Sequence, residues 1–194
     1  MLVSSRPMEF RIITPFSRWH NVPALIPMLQ AAGCNRWVPV THDRPFVSNM
    51  DWVQPMSVVV PEGHDPCYFK INFALDHLPP DRAVYYGFLC DDDTYDAGLI
   101  NSLRSSTAEV LVVSARRYGN SPDIGGGVLV AAPENMRPCH VGLEQVFIRG
   151  DVVGNYHFAV DHGIADGELF ERLGRERECA YHPTLFVNWN LLPK

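Results

Sequence analysis

No Cys-x-x-Cys pair occurs in this chain. Its five cysteines, Cys34, Cys67, Cys90, Cys139 and Cys179, are scattered and odd in number. That excludes a zinc ribbon and a dithiol redox motif. They read as buried thiols of a reducing cytoplasm. There is no His-Glu-x-x-His, no Gly-x-Ser-x-Gly elbow, no Walker loop and no Gly-x-Gly-x-x-Gly after a strand. Their absence argues against a zincin, an α/β-hydrolase, a P-loop enzyme and a Rossmann dehydrogenase. Basic excess is also missing: 16 Lys and Arg stand against 22 Asp and Glu, a formal charge of −6. Nucleic-acid binding has no support from such a balance. No apolar run approaches membrane-spanning length, and Met1 to Glu9 carry no apolar signal-peptide core. Repeats and low-complexity tracts are lacking too. The expectation is a cytoplasmic protein with no membrane-spanning segment and no nucleic-acid partner.

What remains is the composition of a globular domain, with 46% hydrophobic and 20% charged residues in 194. Sixteen prolines fall mostly between periodic segments and imply long, shaped loops. Strands are expected at Phe10–Thr14, Arg36–Val40, Ser57–Val60, Val84–Cys90 and Val110–Val113. Helices are expected after Asn21, closed by Gly33, after the Asp65-Pro66 start signal, and around Leu99–Leu103. The order is βαββαβαβ, an α/β layout with a largely parallel sheet and helices on both faces. Beyond Arg116 the pattern becomes irregular. Tyr118 to Gly127 read as a mobile loop or chain reversal. Val128–Val130, Val146–Ile148 and Leu185–Val187 read as short strands that make the sheet mixed. We expect one domain over residues 1–194, with a regular half at about 10–115 and a more irregular half at about 116–194.

The most informative feature is Asp91-Asp92-Asp93, directly after the apolar run Val84 to Cys90. Carboxylates this close repel one another and call for a positive partner. A hard cation such as Mn2+ or Mg2+ prefers oxygen ligands and keeps substrate phosphates in its shell. Ligands of open α/β sheets bind outside the carboxyl ends of strands. The competing explanation is that Asp92 or Asp93 caps the next helix while the others are solvated. Thr14-Pro15-Phe16-Ser17-Arg18 follows the first strand at the same rim. There Phe16 could stack on a base and Arg18 meet a phosphate, or the segment is an ordinary loop. His42-Asp43 ends the next strand, as a base or ribose contact or as a plain polar terminus. Asp166 and Glu168 offer a general base or, equally, a helix cap and a favourable first-turn charge. His182 stands alone, a metal ligand or an ordinary histidine.

With these residues in place the chain resembles glycosyltransferases of the GT-A fold, and among them the large inverting group called family 2. RIITPFSRWHNVPALIPML resembles the opening strand, nucleotide loop and helix. YFKINFALDHL resembles the helix before the metal motif, which brings in Lys70 and Asn72. VYYGFLCDDDTYDAGLINSL resembles the strand, the D-x-D motif and the helix after it. VGLEQVFIRGDVVG, IADGELFERLG and YHPTLFVNWN resemble later parts of the acceptor half. The usual Glu-Asp pair reads Ala165-Asp166 here, and the aromatic-basic motif near the end is missing.

The resemblance implies a nucleotide-sugar donor, UDP-linked as the first choice, and an unspecified acceptor. It implies Mn2+ or Mg2+ held by Asp93, with Asp91 acting through the ribose or a water and His182 completing the shell. The donor would lie against Thr14, Pro15, Phe16, Arg18, Asp43, Lys70, Asn72, Asp91 and Asp92. Asp166, or failing it Glu168, would take the acceptor proton. Nucleotidyl transfer and nucleotide binding without catalysis remain as alternatives.

Overall fold

The computed structural model describes residues 7–118 and 127–193. Gly125, Gly126 and most of the loop expected to be mobile lie outside the described residues. The chain opens with β1 (Glu9–Pro15), α1 (Val22–Ala32), β2 (Arg36–Thr41), β3 (Met56–Ser57), α2 (Pro66–His77) and β4 (Val84–Phe88). It continues with β5 (Thr94–Tyr95), α3 (Leu99–Leu103), β6 (Val110–Arg117), β7 (Gly127–Leu129) and β8 (Val146–Arg149). It closes with α4 (Gly150–Val153), α5 (Ala165–Glu176) and β9 (Cys179–Trp189). The strands form one mixed sheet in the order β3-β2-β1-β4-β8-β6-β9-β5, with β7 also paired to β6. β3, β2, β1 and β4 are parallel neighbours. β8 runs antiparallel to β4 and β6, whereas β9 runs parallel to β6. The expected boundary at 116 falls inside β6, so the two halves share this sheet.

Strand alternation assigns the two faces. Phe10 and Ile12 of β1, Tyr85 of β4, Leu111 and Val113 of β6 and Phe147 of β8 pack with Leu25, Leu29, Ile100 and Leu103 of α1 and α3. Ile13, Tyr86, Phe88, Val110, Val112 and Ile148 pack on the other face with Ile71, Ala74, Phe170 and Leu173 of α2 and α5. Helices therefore cover both faces. Gly87 of β4 lets this packing close up, because a Cβ there would lie 2.5 Å from the Phe147 ring.

The local signals act as their chemistry dictates in two helices. Asp65 accepts from the amides of Cys67 at 2.8 Å and Tyr68 at 3.3 Å, capping α2 behind Pro66. Gly33 ends α1 in the left-handed region at φ 97°. Three expectations need correction. Asn21 makes no side-chain cap for α1; it spends its amide elsewhere, as described below. The third strand is cut to two residues, because beyond Ser57 no element covers the chain and Val59 stands 86% exposed. Leu185–Val187 are not a separate strand but the second part of β9, whose register against β6 shifts between Val113 and Ser114.

Candidate active site

β1 and β4 are parallel neighbours, so the loops that leave their carboxyl ends meet. Asp91 is the centre of that meeting. Its Oδ2 accepts the amides of Ser17 and Arg18, both at 2.6 Å, and the Ser17 hydroxyl at 3.1 Å. Its Oδ1 takes a short charge-assisted bond from the Arg18 guanidinium. The Arg18 Nη1 also lies 3.4 Å from Asp92 Oδ1. Asn21 Nδ2 donates to the Asp91 carbonyl at 2.8 Å and to the Pro193 carbonyl at 2.9 Å. Leu192 donates its amide to the Asp92 carbonyl at 2.9 Å. The segment after β9 therefore straps the aspartate loop to the start of α1.

The aspartates do not cap α3. Its N-cap is Gly98, five residues beyond Asp93, with β5 between them. Asp93 is fully buried at 0% exposure. One of its oxygens accepts the Asn190 amide at 2.7 Å, while the other is buried with no partner. Asn190 reaches it from the left-handed region, at φ 56°. Burial, and next the nearby Glu144 carboxylate, push the Asp93 carboxyl well above its ordinary range.

Glu144 has no counterpart among the residues expected from sequence. It lies in a short 3-10 turn, Leu143–Gln145, just before β8, and is only 3% exposed. Burial raises its carboxyl to about 7, against the pull of its own backbone amide, and the Asp166 carboxylate adds to the rise. The one sequence signal is an acidic residue between apolar neighbours, Val141, Leu143, Val146 and Phe147. Glu144 and Asp166 line a cavity of about 390 Å³ together with Arg117, Cys139, Val141 and Trp189. Asp166 sits in the first turn of α5 with its Oδ1 on the Gly167 amide at 2.8 Å, and burial raises its carboxyl too. The N-cap of α5 is Ile164, so Asp166 is not the cap. Glu168 is exposed and turned to the surface, 3.3 Å from His162 Nε2.

A second cavity, of about 250 Å³, opens beside Pro15, Arg18, Lys70, Cys90, Asp91 and Asp92. Lys70 is 2% exposed and donates to the Phe16 carbonyl at 3.0 Å. Its burial lowers the ammonium's pKa, an effect that Cys67 and Asp91 oppose. His42 borders this cavity and, with Asp43, a shallower one of about 190 Å³. At Asp43 slight burial is outweighed by its own and Arg44's backbone amides, which hold the carboxyl below its usual range.

Several expected site residues have other occupations. Phe16 cannot stack on a base, because it is fully enclosed at 0% exposure with Trp19, Trp37 and Phe46 edge-on around it. Thr14 is buried and accepts from Trp37 Nε1 at 3.0 Å. Asn72 is spent on the Phe158 backbone, donating to its carbonyl at 2.8 Å and accepting its amide at 3.0 Å. His182 lies in β9 beside Val113, with Nε2 buried and unpartnered and its pKa lowered by burial. No polar contact joins it to the aspartates. Among the described residues no three His, Cys, Asp or Glu side chains gather as a metal-binding group. The expected trio of Asp91, Asp93 and His182 is thus not assembled: Asp91 is committed to Ser17 and Arg18, and His182 lies in the body of the sheet. Asp93 by itself still suits a hard cation that takes one or two carboxylates and completes its shell with phosphates and water.

No family model matches this sequence, and no curated protein matches it. Solved structures do. A mannosyltransferase, PcManGT from Pyrobaculum calidifontis in complex with GDP-Man and Mn2+, superposes with a TM-score of 0.62 at 13% identity. The match covers 97% of this chain and 58% of that one, so the present chain spans well under two thirds of that neighbour. A UTP-bound UGPase from Acinetobacter baumannii superposes at 0.52 with 11% identity, covering 95% of this chain and 89% of that one. The chain has the α/β fold of nucleotide-diphospho-sugar transferases, similar to the GT-A arrangement.

Proposed function

We propose that this chain transfers a sugar from a nucleoside-diphosphate donor, with UDP as the first choice of nucleotide and Mn2+ or Mg2+ as cofactor. The observation that carries the reading is the unpartnered, buried oxygen of Asp93, next in the chain to Asp91 and Asp92, which line the smaller cavity with Arg18 and Lys70. The neighbours hold GDP-Man and UTP, which supports a nucleotide ligand and leaves the choice of base to the test, and the Mn2+ complex supports the cation.

Arg18 and Lys70 line the smaller cavity and supply positive charge for a diphosphate. Arg18 is held by Asp91 and Asp92, so a bound diphosphate competes with these carboxylates for the guanidinium. Asp93 would hold the cation, and Asp91 would stay a positioning group for the loop at Ser17 and Arg18. The cation, when bound, neutralises charge on the departing diphosphate. Asp166 takes the acceptor hydroxyl proton in an inverting reaction, and its raised pKa makes it a stronger base than an ordinary aspartate. Pro15 and Asp43 border the donor; Glu168 takes over as base only if Asp166 is dispensable. We also place the protein in the cytoplasm, which its five free cysteines favour. No described helix is long and apolar enough to cross a membrane.

One observation favours a second reading, nucleotide binding without transfer. Asp91 is already saturated by three hydrogen bonds and an ion pair. Calorimetry with UDP in the presence of Mn2+ and then EDTA tests the binding. Equal affinity with and without metal rejects the cation's role. Sugar release from a panel of nucleotide sugars then separates transfer from binding alone.

A further inference from the structure

The larger cavity is lined by charged groups of both signs that are sparsely partnered. Glu144 is more than nine-tenths buried and faces this space, where its carboxylate is served by its own backbone amide. Arg117, on the same wall, has a buried Nε without a partner among the described residues, and its guanidinium makes a long hydrogen bond, 3.4 Å, from Nη2 to the Cys139 carbonyl. Its guanidinium lies 4.7 Å from the centre of the Trp189 ring. Asp166 adds a second carboxylate, and Leu129, Val141 and Ile164 make the remaining wall apolar. Buried polar groups left unpaired are costly, so this arrangement is built for something that enters.

We propose that the cavity binds the acceptor and that the acceptor is a neutral polyhydroxylated ring, the end of a saccharide. This rests on the transferase reading above and names its second substrate by class. An alkyl chain would leave Glu144 and Arg117 unsatisfied. An anionic ligand would face two carboxylates for one guanidinium. An ammonium would suit the carboxylates and be repelled by Arg117. A hydroxyl both donates and accepts, so a ring of hydroxyls satisfies Glu144, Asp166 and Arg117 together. The apolar wall takes the C–H face of such a ring. The volume, about 390 Å³, lies at the low end of small-ligand cavities, which run to about 1,000 Å³. A mono- or disaccharide end fits it.

The test uses wild-type protein and methyl glycosides of glucose, galactose and mannose, with glucuronate, glucosamine and hexanol beside them. Cys139 borders the cavity and is the one exposed thiol among the five. A ring in the cavity slows its alkylation, which mass spectrometry follows, and saturation-transfer NMR reports the bound face. At least one neutral glycoside should protect Cys139 at millimolar concentration, with glucuronate and hexanol about tenfold weaker, the scale of one charged hydrogen bond. Glu144→Gln keeps the shape and should weaken the neutral glycoside about tenfold while narrowing the gap to glucuronate. Melting curves check that this variant folds, and the wild-type protection result stands without it. Absence of protection by every neutral glycoside, or stronger protection by glucuronate, glucosamine or hexanol, overturns the proposal. A separate UDP titration with Mn2+ keeps the two readings apart. Metal-dependent UDP binding without any glycoside effect sinks the saccharide acceptor and spares the transferase. Glycoside protection without UDP binding does the reverse: the saccharide site stands and the donor reading falls.

Discussion

The two sides of the aspartate loop are built on opposite principles. On the side of β1, Asp91 is buried yet fully served, by two backbone amides, a hydroxyl and the Arg18 guanidinium. Lys70 likewise has the Phe16 carbonyl. On the side of β8, one oxygen of Asp93 is just as deeply placed but lacks a partner, Glu144 is served by its own backbone amide, and both carboxyls are pushed upward. The first region holds itself together and is ready before any ligand arrives. In the second, the fold keeps like charges close without neutralising them, which stability alone does not explain. Removing a charge should therefore weaken the first region and relieve the second.

The largest effect is expected at Asp166. Asp166→Asn keeps size and removes the basic oxygen. If the base assignment holds, sugar transfer should fall by about 10²–10⁴-fold while UDP affinity in Mn2+ stays within about twofold. A variant that transfers at the wild-type rate moves the base to Glu168 or Glu144. Next comes Asp93→Asn, which keeps an acceptor for the Asn190 amide. Losses of 10–100-fold follow when mere supporting groups of metal sites are removed, so loss of the ligand itself should cost metal-supported UDP binding at least about 100-fold. Calorimetry measures it. The melting temperature without metal should hold or rise, because a buried unpaired charge is gone. A fall of many degrees would make Asp93 a structural residue.

Arg18→Ala gives the opposite sign on the opposite side. It strands Asp91, which is buried, although Arg18 itself is about one-third exposed. Breaking a fully buried pair costs about 3–5 kcal/mol, and solvent at Arg18 trims this to about 2 kcal/mol. The melting temperature should then drop by about 6 °C. A neutral result would mean that the Ser17 and Arg18 amides suffice for Asp91, and the contrast between the two regions would lose its basis.

Much of this arrangement is legible in the sequence. The apolar run Val84 to Cys90 marks a buried strand, and the carboxyl-end rule puts Asp91 to Asp93 at the ligand rim. Asp65-Pro66 and Gly33 mark helix ends by local chemistry alone. What is not legible depends on residues far apart in the chain. Phe16 looks free in its loop because nothing local shows that Trp37 and Phe46 join the neighbouring Trp19 in closing around it. Asn72 looks like a surface or nucleotide residue, yet Phe158, 86 positions away, claims both ends of its amide. Glu144 carries no motif, and its importance comes from three elements that bring it near Asp92, Asp93 and Asp166.

The smallest effect is the one that isolates Glu144. A carboxyl raised in the folded state binds its proton more tightly there than in the unfolded chain. Its contribution to stability is complete below the unfolded value and disappears as pH rises through the folded one. For Glu144 that window runs from 4.5 to about 7. Asp93 and Asp166 shift in the same direction and add to the slope. The metal-free protein should thus lose stability as pH rises across this window, against the usual expectation for paired carboxylates. Because neighbouring carboxyls share the effect, about 1 kcal/mol is expected from Glu144, or a fall of about 3 °C in melting temperature. Glu144→Gln removes this group's titration, so the pH slope should shrink by about half. Melting curves of both proteins at pH values spanning the window decide it. Identical slopes would mean that Glu144 finds a partner in solution, and the side facing β8 would then be as well served as the side facing β1.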